Sequence, residues 1–336
     1  MTATEYSKRL GPITPSQFQA ALDHFQLGEF VSAEAIPFGL FGQNVFLTST
    51  TGEYVLRGAA HYDWQFPEEQ FVAKVLHEQT GVPVPWPYLV DTDDSIFGWK
   101  YGYVIMPRMP GLQLADEAVV KALSHDDRTK IAFALGENLR EVQAATWPSA
   151  GLYDLATRTI KPFEDGFAAW ITTELWQWFK KSNETTPEDD KWLEELIKES
   201  REALQVQVSS VLVLQDYKEG NLTVQKQDNG DWKVTGVFDL MEALFGDGEL
   251  DLARQLTAYM EKDMHVAKAF LEGYRGKAPL RPKARERLRL YIAYDRMIVW
   301  EYFHRPEHMH MWWYEETSLR EWVKTYIDKL AWVGIA

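Results

Sequence analysis

Apolar positions in the first third of the chain fall mostly into short runs broken by turns; beyond it they recur mainly at helical spacing. Phe38 to Thr48 reads as a strand running into the turn Thr50-Thr51-Gly52. Glu53-Tyr54-Val55-Leu56-Arg57 then follows as its hairpin partner. Pro67 opens a helix with Glu68 and Glu69 in its first turn, where carboxylates complement the dipole. Val72, Val75 and Leu76 supply its apolar stripe, and Gly81 ends it before Val82-Pro83-Val84-Pro85. Tyr88 to Asp91 and Tyr101 to Met106 read as two more strands, after which Pro107, Pro110 and Gly111 break the pattern.

From there the chain turns helical. Asp126 to Thr146, Phe163 to Lys181 and Pro187 to Leu204 carry 3.6-residue periodicity, and helices resume after a β-rich interruption from Val211 to Asp239. The layout predicts an α+β protein with a small β-rich N-lobe, residues 1–109, and a larger, mainly helical C-lobe, residues 110–336. A cleft between the lobes is the expected place for a site.

With 336 residues, 46% of them hydrophobic, the chain has enough apolar material for two lobes with real cores. No internal repeat or low-complexity tract interrupts it. There is no cysteine, which excludes disulfides, thiolate metal sites and a cysteine nucleophile. The first twelve residues lack the apolar core of a secretory signal, and no run of 18 apolar residues offers a membrane span. A cytoplasmic protein with no membrane partner is expected. A formal net charge of −15 argues against nucleic acid as a partner. It is compatible with a cationic substrate, though an acidic surface also serves solubility alone.

The densest chemistry lies between Val211 and Leu256. Val211-Leu212-Val213-Leu214 reads as a buried strand, followed by Asp216 and, five residues on, Asn221. Two runs flanking Asp228-Asn229-Gly230 then predict a hairpin with a type I′ turn on Asn229 and Gly230. Paired positions would sum to 459 and place Asn221 across from Phe238, beside Asp239. Such a hairpin gathers an amide oxygen and a carboxylate at its open end, with Asp216 on the loop before it. Hard oxygens so gathered suit Mg²⁺, and a carboxylate outside the metal shell suits accepting a hydroxyl proton. By itself the D-x-x-x-x-N spacing is equally consistent with an Asx-turn before a strand.

The run from Gly236 through Asp239, Asp247 and Asp251 to Ala253 resembles the signature of the aminoglycoside phosphotransferases and choline kinase-like small-molecule kinases, V-I-D-W-x-x-A-x-x-G-D-P-x-x-D-L-A, without a gap. That resemblance implies a bilobal protein-kinase-like fold. It also implies transfer of the γ-phosphoryl group of ATP or GTP to a hydroxyl of a small molecule, an aminoglycoside-type antibiotic among the candidates. Asp216 matches the catalytic aspartate, Asn221 and Asp239 match the Mg²⁺ ligands, and Asp247 and Asp251 match a helix cap and a brace to the catalytic loop. The family writes H-G-D or H-x-D where this chain has Leu214-Gln215-Asp216, so a bracing histidine is missing and a leucine can only pack. Asp216 to Asn221 is also similar to the D-L-K-P-x-N loop of protein kinases, which gives Lys218 either a role at the transferring phosphoryl group or that of a solvated surface lysine.

In the N-lobe, Phe38 to Phe46 is similar to the family's nucleotide-covering loop, in which Gly39, Gly42, Gln43 and Asn44 would approach the phosphates. Arg57 occupies the place of the strand-three lysine, with Glu69 favoured over Glu68 as its helix partner. Tyr103 to Gly111 resembles the hinge, where backbone from Met106 to Met109 would bind a purine. The resemblance spans about Phe38 to Ala258. Acceptor candidates are aromatic and acidic clusters around Glu164, Asp165 and Glu174, and from Trp300 to Glu316, although aromatics at helical spacing are more often core. His304, His308 and His310 have poor metal spacing and read as a surface turn. Two rival readings remain: a kinase of another hydroxylated metabolite or a macrolide, and a nucleotide-binding pseudokinase or regulatory module.

Overall fold

The computed structural model describes residues 2–37, 41–93, 95–206, 209–276, 278–312 and 317–335. The chain divides into two compact units. One comprises Met1–Leu123, Tyr153–Thr159 and Glu219–Ala243; the other comprises Ser124–Leu152, Ile160–Lys218 and Leu244–Ala336.

The first unit is built on a five-stranded antiparallel sheet, ordered Phe30–Ala35, Asn44–Ser49, Gly52–Gly58, Tyr103–Pro107, Leu89–Asp91. Alternation along Asn44–Ser49 buries Val45, Leu47 and Ser49 on one face. There Val45, Leu47, Leu56, Tyr103 and Ile105 form a core with Phe18, Ala21 and Leu22 of the helix Pro15–His24. That helix starts where Thr14 and Gln17 form a reciprocal capping box, with proline in the first turn. The helix after the hairpin spans Gln65–Gln79, so it begins two residues before Pro67, and it buries Phe66, Val72, Val75 and Leu76.

The hairpin Leu222–Lys226 and Trp232–Val237 also belongs to this unit and gains Leu112–Gln113 as a third strand. Its turn differs from the expected type I′. Only Gly230 has positive φ, and Gly230 N–H bonds back to Gln227 O at 2.9 Å. This is the three-residue loop of a type I turn followed by a left-handed glycine. Pairs next to the turn sum to 458, as in Lys226↔Trp232. An irregularity at Thr223/Val224 then restores 459 at Leu222↔Val237. The extra residue is Thr235, whose hydroxyl donates to Pro110 O at 2.6 Å.

In the second unit, Val211–Val213 pairs antiparallel with Leu244–Gly246. The unit also holds seven long helices among the described residues: His125–Val142, Gly166–Lys181, Pro187–Leu204, Leu252–Lys262, Met264–Arg275, Ala284–Phe303 and Leu319–Lys329. The first and fifth of these approach closely at two glycines. A Cβ on Gly136 would stand 2.0 Å from Phe270 O, and one on Gly273 would stand 2.1 Å from Phe133 O. Pro187–Leu204 keeps its expected bounds because Thr186 and Asp189 cap it reciprocally. His304 is buried, stacked on Trp300 with centroids 3.8 Å apart, so it belongs to an aromatic core and not to a surface turn. Residues 313–316 of the C-terminal aromatic cluster lie outside the described residues.

Candidate active site

Arg57 ends up inside the first unit because its strand is central in the sheet and lies opposite Asn44 and Val104. Its guanidinium is 6% exposed and bridges two carboxylates: Nη1 lies 3.3 Å from Glu69 Oε2, and Nη2 lies 3.0 Å from Asp239 Oδ1. Burial alone would lower its pKa, but the charges of Glu69 and Asp239 outweigh it and hold the group above its ordinary value. Gln43 Oε1 lies 3.5 Å from the same Nη2, while the Gln43 amide donates to Ala59 O at 2.9 Å. Gly42 has φ +57 and lies against Ser7, whose hydroxyl donates to Gly42 O. The segment Gly42-Gln43-Asn44 is thus tied to the strand that carries Arg57.

It is Glu69 that meets Arg57. Gln65 sits one helical turn before it and donates to Glu69 Oε1 at 3.2 Å, and the buried Tyr88 hydroxyl donates to Oε2. Glu68 instead accepts from Glu242 N at 3.2 Å, three residues beyond Asp239. Burial pushes the Glu68 carboxyl up to about 8, with Glu69 and Glu242 adding repulsion. Asp239 itself has φ +63, a left-handed conformation that aspartate tolerates better than most residues. The hairpin's open end joins it to Asn221 through Phe238 N–H, which donates to Asn221 O at 3.1 Å.

Among the described residues of this unit, Arg57 Nε, Asn44 Oδ1 and His61 Nε2 are buried without a hydrogen-bond partner. Burial, then the charges of Arg9 and Arg57, hold His61 below its ordinary pKa. Of the expected purine-binding backbone, Met106 is buried opposite Val55, Arg108 N–H is already bonded to Glu53 O at 3.0 Å, and Met109 rests on the bare face of Gly236. Gly39 lies outside the described residues.

Asp216 and Lys218 belong to the second unit, where Lys218 Nζ donates to Asp216 Oδ2. Leu214 is buried, consistent with a residue that packs where the family has histidine. The loop is braced by Asp251, which accepts Leu214 N and Gln215 N, each at 2.7 Å. Burial lifts Asp251 to about 7, against the two N–H bonds that favour its anion. Asp247 caps the following turn by accepting from Glu249 N at 3.0 Å. The sequence reading missed Arg254, whose Nε donates to Asp216 Oδ1 at 2.9 Å and whose Nη1 reaches Asp295 Oδ1 at 3.3 Å.

The contacts therefore form two groups: Gln43, Arg57, Glu69 and Asp239 in one unit, and Asp216, Lys218 and Arg254 in the other. The family model described as the phosphotransferase enzyme family matches residues 32–291, most of the chain. This chain belongs to that family. Among solved structures, it is similar to a thermostable mutant of aminoglycoside phosphotransferase APH(4)-Ia with ADP and hygromycin B, at TM-score 0.63, 15% identity and coverage of 94% of this chain and 98% of that one. It is also similar to choline kinase LicA from Streptococcus pneumoniae, at TM-score 0.53 and 13% identity, covering 93% of this chain and 98% of that one. The fold is thus the α+β, protein-kinase-like one of these phosphotransferases. A homoserine kinase from Burkholderia mallei (strain SAVP1) is 40% identical over 81 residues, so the match spans 24% of either chain.

The two residues expected to hold a divalent cation, Asn221 and Asp239, both lie in the first unit. Asp239 Oδ1 is bonded to Arg57, and Asn221 is held next to Phe238 by its backbone carbonyl. One carboxylate and one amide suit Mg²⁺, which keeps several waters and completes its shell from substrate phosphates. Among the described residues no group of three His, Cys, Asp or Glu side chains is placed to hold a metal ion. No helix among them is long and apolar enough to cross a membrane.

Proposed function

We propose that this phosphotransferase is a small-molecule kinase that moves the γ-phosphoryl group of ATP or GTP to an alcohol. The observation that carries the reading is the buried Arg57 between Glu69 and Asp239. An ion pair between a strand cation and a helix carboxylate is one of the parts that kinase-type phosphoryl transfer needs in place before chemistry begins. In this reading the acceptor oxygen bonds to the γ-phosphorus as the β–γ bridging bond breaks. The nucleoside diphosphate leaves with the electron pair, and Asp216 takes the hydroxyl proton late. Lys218 adds positive charge beside Asp216, and Gly42, Gln43 and Asn44 cover the phosphates through backbone N–H groups. Met106 and Met109 line the purine end. Asn221 and Asp239 would hold Mg²⁺, which supplies charge neutralisation on the phosphate oxygens when bound.

The acceptor class is read more coarsely. The similar proteins include kinases of choline and homoserine and an aminoglycoside phosphotransferase crystallised with hygromycin B. Choline and homoserine pair a hydroxyl with a cationic nitrogen, and a net charge of −15 suits a small cationic acceptor. The test is a panel of amino alcohols, hydroxy amino acids, aminoglycosides and macrolides, with Mg²⁺ and either ATP or GTP, scored by acceptor-dependent release of nucleoside diphosphate. The proposal expects release to rise with at least one cationic alcohol. Nucleotide binding without acceptor-dependent release across the whole panel would favour the non-catalytic reading instead.

A further inference from the structure

The residue before Asp216 is in an unfavourable conformation. Gln215 has φ +60, a left-handed backbone that costs a non-glycine residue stability unless its surroundings fix it. Asp251 supplies part of that restraint through the two N–H bonds at Leu214 and Gln215. The rest comes from the helix Ala284–Phe303: Tyr294 OH bonds to Gln215 Oε1 at 2.9 Å, and its neighbour Asp295 faces Arg254.

Arg254 is the link. It lies two residues into the helix Leu252–Lys262, one turn after Asp251, and it places its fork between Asp216 and Asp295. Burial opposes its charge, but Asp295 and Asp216 together keep its pKa above the ordinary value. Asp295 in turn accepts Arg296 Nε at 2.8 Å and Nη2 at 2.6 Å. The Arg296 guanidinium lies over the Tyr326 ring at 5.1 Å and the Trp322 ring at 5.6 Å, both on the last helix. Charges alternate along Arg296, Asp295, Arg254 and Asp216, so each group offsets the desolvation of the next.

Building on the kinase reading, we propose that Arg254 is a positioning residue. Its guanidinium, anchored on Asp295, fixes the orientation of the Asp216 carboxylate and takes over the bracing that Leu214 cannot give. Lys218 touches the same carboxylate but is a flexible point charge, 36% exposed, and cannot set an angle. Arg254 is a planar fork with one arm on each acid, and such a fork defines an orientation.

The experiment compares wild type with Arg254→Ala, Arg254→Lys, Asp295→Asn and Asp216→Asn. The readout is Mg·ATP turnover with water as acceptor, measured as kcat and KM, with thermal melting as the check on folding. The proposal expects Arg254→Ala to lose about 100-fold in kcat, the order a misplaced catalytic group costs, with little change in the KM for ATP. Arg254→Lys should recover part of the loss by restoring the charge without the fork, and Asp295→Asn should fall in the same direction as Arg254→Ala. A folded Arg254→Ala with wild-type kcat, alongside an inactive Asp216→Asn, overturns the role of Arg254 and leaves the kinase reading intact. An Asp216→Asn variant that turns over normally overturns both. If Arg254→Ala does not fold, Arg254→Lys and Asp295→Asn decide: reduced kcat at near-wild-type melting supports the proposal, and a change in KM alone overturns it.

Discussion

Glu68 and Glu69 are neighbours in one helix, and burial holds both carboxyls above their ordinary value, yet they differ in their partners. At Glu69 the charge of Arg57 and the hydrogen bonds from Tyr88 and Gln65 oppose that rise. Glu68 has one backbone N–H and two nearby acids, and its carboxyl is pushed up from 4.5 to about 8. Between those two values the folded chain keeps a proton that the unfolded chain has already lost. Stability must therefore fall as pH rises through this window and level off above it. Denaturant titrations at several pH values should show that fall, and Glu68→Gln, which cannot ionise, should reduce it, most clearly above the value of about 7 to which Asp251 is lifted. An unchanged pH dependence in Glu68→Gln would mean that another group controls it. The choice of Glu69 for Arg57 was legible in the sequence as a matter of spacing. The raised pKa of Glu68 was not, because it depends first on burial in the folded unit and then on Glu242, which lies 174 residues away.

Elements were legible where the sequence carries its own punctuation. Thr186 and Pro187 announce a helix start, and the bounds Pro187–Leu204 match the expectation. The hairpin carrying Asn221 and Asp239 was visible from Asn229-Gly230, but its turn type and the bulge at Thr235 were not. The bulge is stabilised by a hydrogen bond to Pro110 O, a long-range contact that no local pattern encodes. Arg254 escaped notice for the same reason, since its partners lie 38 and 41 residues away. The crossing of His125–Val142 and Met264–Arg275 is another long-range fact with a local consequence. Ala in place of Gly136 should gain about 1 kcal/mol of helix propensity. Its Cβ, however, would overlap backbone oxygen of Phe270 at 2.0 Å, which a side-chain rotation cannot relieve. Overpacking of this kind costs about 1–3 kcal/mol, so Gly136→Ala is expected to lower the melting temperature. A raised melting temperature would show that propensity outweighs the contact.

At the scale of the whole molecule, the sequence was enough for the α+β class and the family, because the Gly236 to Ala253 run keeps its spacing while individual residues vary. It was not enough for the acceptor, since similar folds serve different substrates. Net charge belongs to this scale too: −15 favours cationic molecules at long range and does not select among them. The central claim is chemical, and mass spectrometry of the acceptor tests it most directly. Incubated with ATP and Mg²⁺, the best acceptor from the panel should gain one phosphate with the wild-type protein. It should gain none when Mg²⁺ is chelated, and none with a folded Asp239→Ala. Phosphorylated product formed at the wild-type rate by Asp239→Ala, or in the presence of chelator, would contradict the account.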